Sequence, residues 1–184
     1  MRELMVDMFG TVDAYGGGGP RSAPYWGYGG PGLFDWMHAQ LAEDHVMVMG
    51  ANSYRQMAEI VAGDDDPTFP RMAELPKLVF SKTLEPPLSW ANTTVVAEPA
   101  ETAVPALKAG DGPPMRTVGS PSLVRSLFRL GLVDRVRVMV FPMIHGAEGE
   151  RPLFAELPAV DLDLAGTRVI DERLVLLDYR VRRD

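Results

Sequence analysis

The chain has no cysteine. Disulfides, thiolate nucleophiles and zinc–thiolate centres are therefore excluded. Its three histidines, His38, His45 and His145, are far apart and show no metal-ligand spacing, so no metal is expected. No apolar run approaches the roughly 20 residues that a spanning helix needs. The opening MRELMVDMFG is too acidic, and its apolar run too short, for a secretory signal. A cytoplasmic protein without a membrane partner is expected. Positive charge is also scarce: 18 Lys and Arg stand against 25 Asp and Glu, a formal net charge of −7. That balance argues against a nucleic-acid partner, which would call for a basic face. The run Arg180-Val181-Arg182-Arg183 reads as a solvated strand end. Neither a G-x-S-x-G elbow nor a spaced His pair is present, so a hydrolase has little support. Repeats and linkers are lacking too, and residues 1–184 read as one domain with enough bulk for a sizeable core.

What is present is a strand–turn–helix–strand unit from Met115 to Gly146. Arg116 to Val118 reads as a short strand, Gly119-Ser120 as a turn, and Pro121 as the first residue of a helix. Ser120 suits the N-cap, and proline suits a first position whose N–H would be unpaired anyway. Leu123, Leu127 and Leu130 share one face, widened by Val124 and Phe128, while Arg125 and Arg129 face solvent. Gly131 stops the helix. Val133 to Phe141 is a buried strand closed by Pro142. The amides at such a helix start attract an anion such as a phosphate. The same residues serve equally as a plain helix cap.

Further strands are expected at Leu4 to Val12, His45 to Met49, Pro76 to Phe80 and from Thr93. Helices are expected at Leu33 to Ala42, from Gly50 to about Val61, and at Ala100 to Ala109, where Pro105 moves the start or kinks the helix. Gly16 to Gly32, with Tyr25, Trp26 and Tyr28, reads as a long loop. It is either a lid that stacks on a flat heterocycle or a surface loop. Ala62 to Glu74, with Asp64-Asp65-Asp66, reads as an acidic surface loop. Asp161 to Val169 and Arg173 to Arg182 are apolar on both sides, which suggests central or dimer-buried strands. Alternating strands and helices indicate an α/β domain with a largely parallel sheet, its ligand at the carboxyl strand ends.

VGSPSLVRSLFRLGLVDRVRV followed by PMIHGAEGERPLF resembles the riboflavin-biosynthesis reductase domain, a member of the dihydrofolate-reductase-like superfamily. The resemblance is continuous from Gly119 to Phe154 and extends more weakly to Met1. It implies a three-layer α/β/α fold with a central, mostly parallel mixed sheet and C-terminal antiparallel strands. Asp13-Ala14 resembles the family's D-G element, Gly50-Ala51-Asn52-Ser53-Tyr54 its G-R-x-T-Y/W element, Ser81-Lys82-Thr83-Leu84 its S-R/K-T-L element, and Trp90 to Thr93 its W-x-N-T element.

By that resemblance the protein is a reductase that moves hydride from NADPH to a small heterocycle, a pterin or a riboflavin-precursor pyrimidine. The cofactor residues would be Gly50, Asn52, Ser53, Ser81, Lys82, Thr83, Val118, Gly119, Ser120, Ser122 and Leu123. Substrate would meet Asp13, Trp26 and Asp35, with Asp35 or Asp13 as the catalytic carboxylate. Counting back from Gly50 places Phe34 or Asp35 at the substrate-carboxylate position, and a buried carboxylate there would raise basicity at the reduced nitrogen. Asp35 as a helix-start acid and Asp13 as a turn residue remain open alternatives. Lys82 is either a cofactor contact or an exposed lysine, and His145 either a proton donor or structural. Ala51 stands where the family has the arginine that holds the adenosine 2′-phosphate, so NADH is also admitted. A homodimer is expected. The other reading is a non-catalytic nucleotide- or small-molecule-binding protein on the same fold.

Overall fold

A computed structural model describes residues 1–18, 28–63 and 66–183. The expected lid residues Tyr25 and Trp26, and Asp64 and Asp65, lie outside them. The chain forms two compact units: Met1–Val6 with His38–Val133, and Asp7–Met37 with Asp134–Asp184.

The first unit is a parallel sheet with helices. Its strands are β3 (Val46–Gly50), β4 (Lys77–Phe80), β5 (Thr93–Val96), β6 (Met115–Thr117) and the start of β1 (Leu4–Thr11), in the order β5-β4-β3-β6-β1. The register sets Val48 beside Thr117 and Gly50 beside Phe80. Each crossover carries a helix or a long connection, as parallel strands require. The helices are α2 (Ala51–Gly63), α3 (Phe69–Glu74), α4 (Ala100–Ala109) and α5 (Pro121–Arg129). Met47, Met49, Val79, Tyr54, Met72, Leu75 and Trp90 form its core.

Two expectations change here. The acidic stretch before Glu74 was expected to be all loop, yet its end is the helix α3, with Pro70 in the first turn. Lys77 holds that helix from below. Its ammonium is fully buried and donates to the carbonyls of Met72 (2.7 Å), Ala73 (3.2 Å) and Leu75 (2.6 Å). It also lies 4.7 Å from the centre of the Trp90 ring. α4 runs unbroken through Pro105, which lies on its exposed side.

The second unit contains the rest of β1, then β7 (Arg135–Phe141), β9 (Leu162–Ile170) and β10 (Leu174–Val181), in the order β1-β7-β10-β9. β10 is antiparallel to both β7 and β9. With β1 shared, the strands make one eight-stranded mixed sheet, mostly parallel with antiparallel C-terminal strands. Leu33 and Trp36 of α1 (Pro31–Ala42) pack on Met139, Phe141, Ile170, Leu174 and Leu176. A buried Arg137 pairs with Asp7 through two bonds of 2.6 and 2.8 Å and lies 5.2 Å from the Trp36 ring.

Asp171, in the β9–β10 turn, closes the start of α1. Its carboxylate accepts the amides of Gly30 (2.7 Å), Gly32 (2.8 Å) and Leu33 (2.9 Å). Those bonds to the ionised form hold its pKa below the ordinary value, although partial burial opposes them.

Two more elements depart from expectation. Tyr15–Gly18, read as loop from Gly16, is a strand (β2) antiparallel to β8 (Gly149–Pro152). β9 is an edge strand, exposed along nearly its whole length, rather than a central one.

Candidate active site

The first unit brings the expected cofactor elements to one edge. β4, β3 and β6 are parallel neighbours, so Ser81, Gly50 and Val118 lie at three adjacent carboxyl ends, Gly50 as the last residue of its strand. α2 starts directly after β3 and α5 shortly after β6. Two hydrogen bonds lock these two helix starts together, and a third fixes the Ser120 hydroxyl within its own turn. The Ser120 amide donates to Ser53 Oγ at 2.8 Å, the Gly50 amide donates to Ser120 Oγ at 2.8 Å, and Ser120 Oγ donates to the Val118 carbonyl at 2.9 Å.

Ser120 was expected to cap α5 with its side chain, and it does not. It precedes the helix in a left-handed conformation, φ 63° and ψ 54°, without a side-chain cap bond. Its hydroxyl is used across to α2 instead. Gly119 is also left-handed, at φ 53°, and a Cβ there would stand 3.1 Å from Ser53 Oγ. The turn thus needs glycine both for its backbone conformation and for the close approach of Ser53. A left-handed serine costs about 1–2 kcal/mol and persists where neighbouring bonds over-determine it.

Ser120 Oγ is used within this lock, whereas Ser53 Oγ accepts one of its bonds and keeps its own proton as a donor beside the backbone amides. The first-turn N–H groups of an α-helix have no partner within the helix. Those of Ser122 and Leu123 in α5, and of Asn52 and Ser53 in α2, are the groups that could hold an anion, which both helix dipoles would favour. The arrangement fits a pyrophosphate.

The residues expected beside an adenosine are less specific. Ser81 Oγ accepts from the amides of Thr83 (3.1 Å) and Leu84 (3.0 Å), which shapes the loop. Lys82 and Thr83 are exposed. Ala51 opens α2 and brings no charge. One turn later Arg55 is exposed, and it donates to Asn52 Oδ1 at 3.1 Å. It lies four residues after Ala51 and so on the same helix face, a spacing visible in the sequence.

The expected substrate residues belong to the second unit. Asp35 is exposed on α1, so the buried carboxylate expected there is absent. The buried positions on that helix are Leu33 and Trp36. Asp13 holds a turn. Its carboxylate accepts Thr11 Oγ1 at 2.6 Å, the Gly146 amide at 2.8 Å and the His145 amide at 3.1 Å. These bonds, the Thr11 hydroxyl foremost, pull its pKa down from 3.8 to about 2. Asp13 is ionised at neutral pH and does not supply a proton there.

His145 stands in the segment that Asp13 holds, its ring edge-on to Tyr15 with centroids 6.5 Å apart. Tyr28, Met143, Ile144, His145, Ala147 and Glu148 line a cavity of about 370 Å³ beside it. Among the described residues no group of acidic, histidine or cysteine side chains is arranged to hold a metal ion, and no helix is long and apolar enough to cross a membrane.

Solved structures share this fold at low identity. A putative riboflavin biosynthesis protein from Shewanella sp. PV-4 superposes with a TM-score of 0.73 at 19% identity, covering 98% of this chain and 99% of its own. A pyrimidine reductase-like protein from Corynebacterium diphtheriae gives 0.69 at 19% identity, covering 100% and 93%. The riboflavin biosynthesis reductase of Saccharomyces cerevisiae gives 0.61 at 13% identity, covering 98% and 90%. No curated protein sequence matches. The sequence itself matches the pattern of one family over residues 2–176, and by that match the chain belongs to the RibD C-terminal domain family.

Proposed function

We propose that the protein is a cytoplasmic reductase that uses NADPH to reduce a small heterocycle of the pterin or riboflavin-precursor pyrimidine class, working as a homodimer. The observation that carries this reading is the left-handed Ser120, tied between the starts of α2 and α5 at adjacent carboxyl strand ends. Strain of this kind is kept where a site requires it. Family membership and the likeness to a pyrimidine reductase-like protein and to the riboflavin biosynthesis reductase of Saccharomyces cerevisiae support the same reading.

In this reading Val118, Gly119, Ser120, Ser122 and Leu123, with Gly50, Asn52 and Ser53, hold the pyrophosphate. Ser81, Lys82 and Thr83 flank the adenosine. Lys82 supplies the point charge that Ala51 lacks, which favours NADPH without strictly excluding NADH. A bound reduced nicotinamide supplies the hydride. Asp13 is a positioning residue that fixes the segment from Met143 to Glu148. Asp35 contributes as an exposed carboxylate toward substrate.

Incubation with NADPH and a panel of pterins and aminopyrimidines tests this, read by loss of reduced-nicotinamide absorbance. Substrate-dependent oxidation is expected. Cofactor binding without turnover of any substrate would favour the non-catalytic alternative.

A further inference from the structure

The cavity of about 370 Å³ in the second unit takes most of its wall from one segment, Met143 to Glu148. That segment is held along its length. The Val12 amide donates to the Met143 carbonyl at 2.9 Å. Asp13 accepts the amides of His145 and Gly146 at 3.1 and 2.8 Å. The Glu148 amide donates to the His145 carbonyl at 3.2 Å and closes the turn Gly146–Glu148. A Cβ at Gly149 would stand 2.7 Å from the Tyr15 ring, so only glycine lets the chain after Glu148 pass this close to it. Across the cavity, Tyr28 packs against the core that contains Leu33 and Trp36. The walls are therefore set in place before a ligand arrives, and the volume lies within the roughly 300–1,000 Å³ of small-molecule sites.

The chemistry of the lining is one-sided. Asp13 is occupied by its three donors, and Asp35 is exposed on α1 and is not part of the lining. Glu148 lines the cavity, and among the described residues no group pairs with its carboxylate. An ionised carboxylate only accepts hydrogen bonds, so it suits a ligand that brings N–H donors. Tyr28, Met143, Ile144 and Ala147 give the rest of the lining an apolar and aromatic character that suits a flat ring. Among the described residues neither lysine nor arginine lines the cavity. The imidazole of His145 is the basic group there, and the carboxylate of Asp13 sits on the amide of that same residue. A phosphate in this cavity would meet like charge without a guanidinium or ammonium to offset it.

We propose that this cavity binds a planar amino-substituted heterocycle, neutral or cationic, that carries no phosphate, and that Glu148 is the residue that makes this selection. Its carboxylate accepts from an exocyclic amine or a protonated ring nitrogen, while Tyr28 and Ile144 meet the ring. The proposal rests on the reading of a heterocycle as substrate and narrows it to the unphosphorylated class. It involves none of the cofactor residues of the first unit.

The test is calorimetric titration of the full chain, without cofactor, with diaminopteridine, cytidine and cytidine monophosphate. Diaminopteridine is expected to bind, and cytidine is expected to bind roughly tenfold more tightly than its monophosphate, the scale of one charged contact. Glu148→Gln should weaken diaminopteridine by about tenfold and bring cytidine and its monophosphate close to equal affinity. Glu148→Lys should reverse their order. Because Glu148 is exposed, neither variant is expected to shift the melting temperature. Tyr28→Ala should weaken all three ligands alike, which separates loss of the cavity from loss of selection. A wild-type chain that binds none of the three, one that prefers the monophosphate, or a Glu148→Gln chain with unchanged preferences would overturn the proposal. Failure of the reductase reading shows separately, as absence of NADPH binding by the same samples.

Discussion

The Gly50 amide nitrogen lies 2.8 Å from Ser120 Oγ, across 70 residues of sequence. This contact fastens the end of β3 to the turn after β6. Ser120 is itself buried, so removing its hydroxyl leaves the Gly50 donor without its partner. Ser120→Ala is expected to lower stability by about 1–2 kcal/mol and to weaken NADPH binding roughly tenfold. Ser53→Ala acts on the same lock, and the double variant should lose less than the sum of the two. Additive losses in a denaturation cycle would show that the bonds are independent.

Ala14 has φ 62°, in the left-handed region. A left-handed alanine is strained by roughly 1 kcal/mol, so Ala14→Gly should stabilise the fold by up to that amount, with the greater freedom of unfolded glycine working against it. Gly119→Ala should do the reverse, because its Cβ meets Ser53 Oγ at 3.1 Å. Urea midpoints of the two variants on opposite sides of wild type would bear this out. A destabilised Ala14→Gly would contradict it.

Asp13 links stability to acid. Its pKa is about 2 when folded and 3.8 ordinarily, so the unfolded chain takes up the proton first as pH falls. Its contribution is complete above about pH 4 and is lost as pH falls toward 2. Melting curves between these pH values should be flatter for Asp13→Ala than for wild type. The variant should also melt lower at pH 7, because three donors lose their acceptor.

Lys77 acts in the opposite range. Burial pushes its ammonium from 10.5 down to about 8, so between these values the unfolded chain binds more protons. The stability of the fold should therefore rise as pH increases through this window. Lys77→Met should remove that rise. At pH 7 it should cost about 2 kcal/mol, because buried carbonyls of α3 and Leu75 lose their donor. A variant with wild-type stability at pH 7 would show that those carbonyls find other partners.

The parallel strands, the helix starts at Gly50 and Pro121 and the stop at Gly131 were legible because each depends on local pattern and backbone chemistry. Gly131 does adopt φ 63°, with the Leu132 amide reaching the Leu127 carbonyl at 3.0 Å. α3 was hidden by Pro67, Pro70 and the aspartates before it, which read as loop. β8 carries no β-forming side chain in Gly149–Pro152 and exists through its pairing with β2. The role of Ser120 was misread because its hydroxyl bonds to Gly50 rather than to its own helix, a choice made by tertiary packing. The apolar pattern of β9 was visible, but its place at the edge depends on strand order.

Lys82 tests how the 2′-phosphate is read. It is exposed, and no charge stands at Ala51. Lys82→Ala should weaken NADPH by roughly five- to tenfold and leave NADH unchanged, as expected for one charge-assisted contact. Equal weakening of both would assign Lys82 to the loop rather than to the phosphate. Arg55→Ala is the parallel variant, and a larger loss there would move the contact to α2.

The most direct measurement is calorimetric titration of the pure wild-type chain, and of Gly119→Ala, with NADPH and then NADH. Micromolar NADPH binding by wild type, weaker NADH binding, and a loss of at least tenfold in Gly119→Ala are expected. Wild-type protein that binds neither cofactor would contradict the assignment of the α2 and α5 starts as a dinucleotide site.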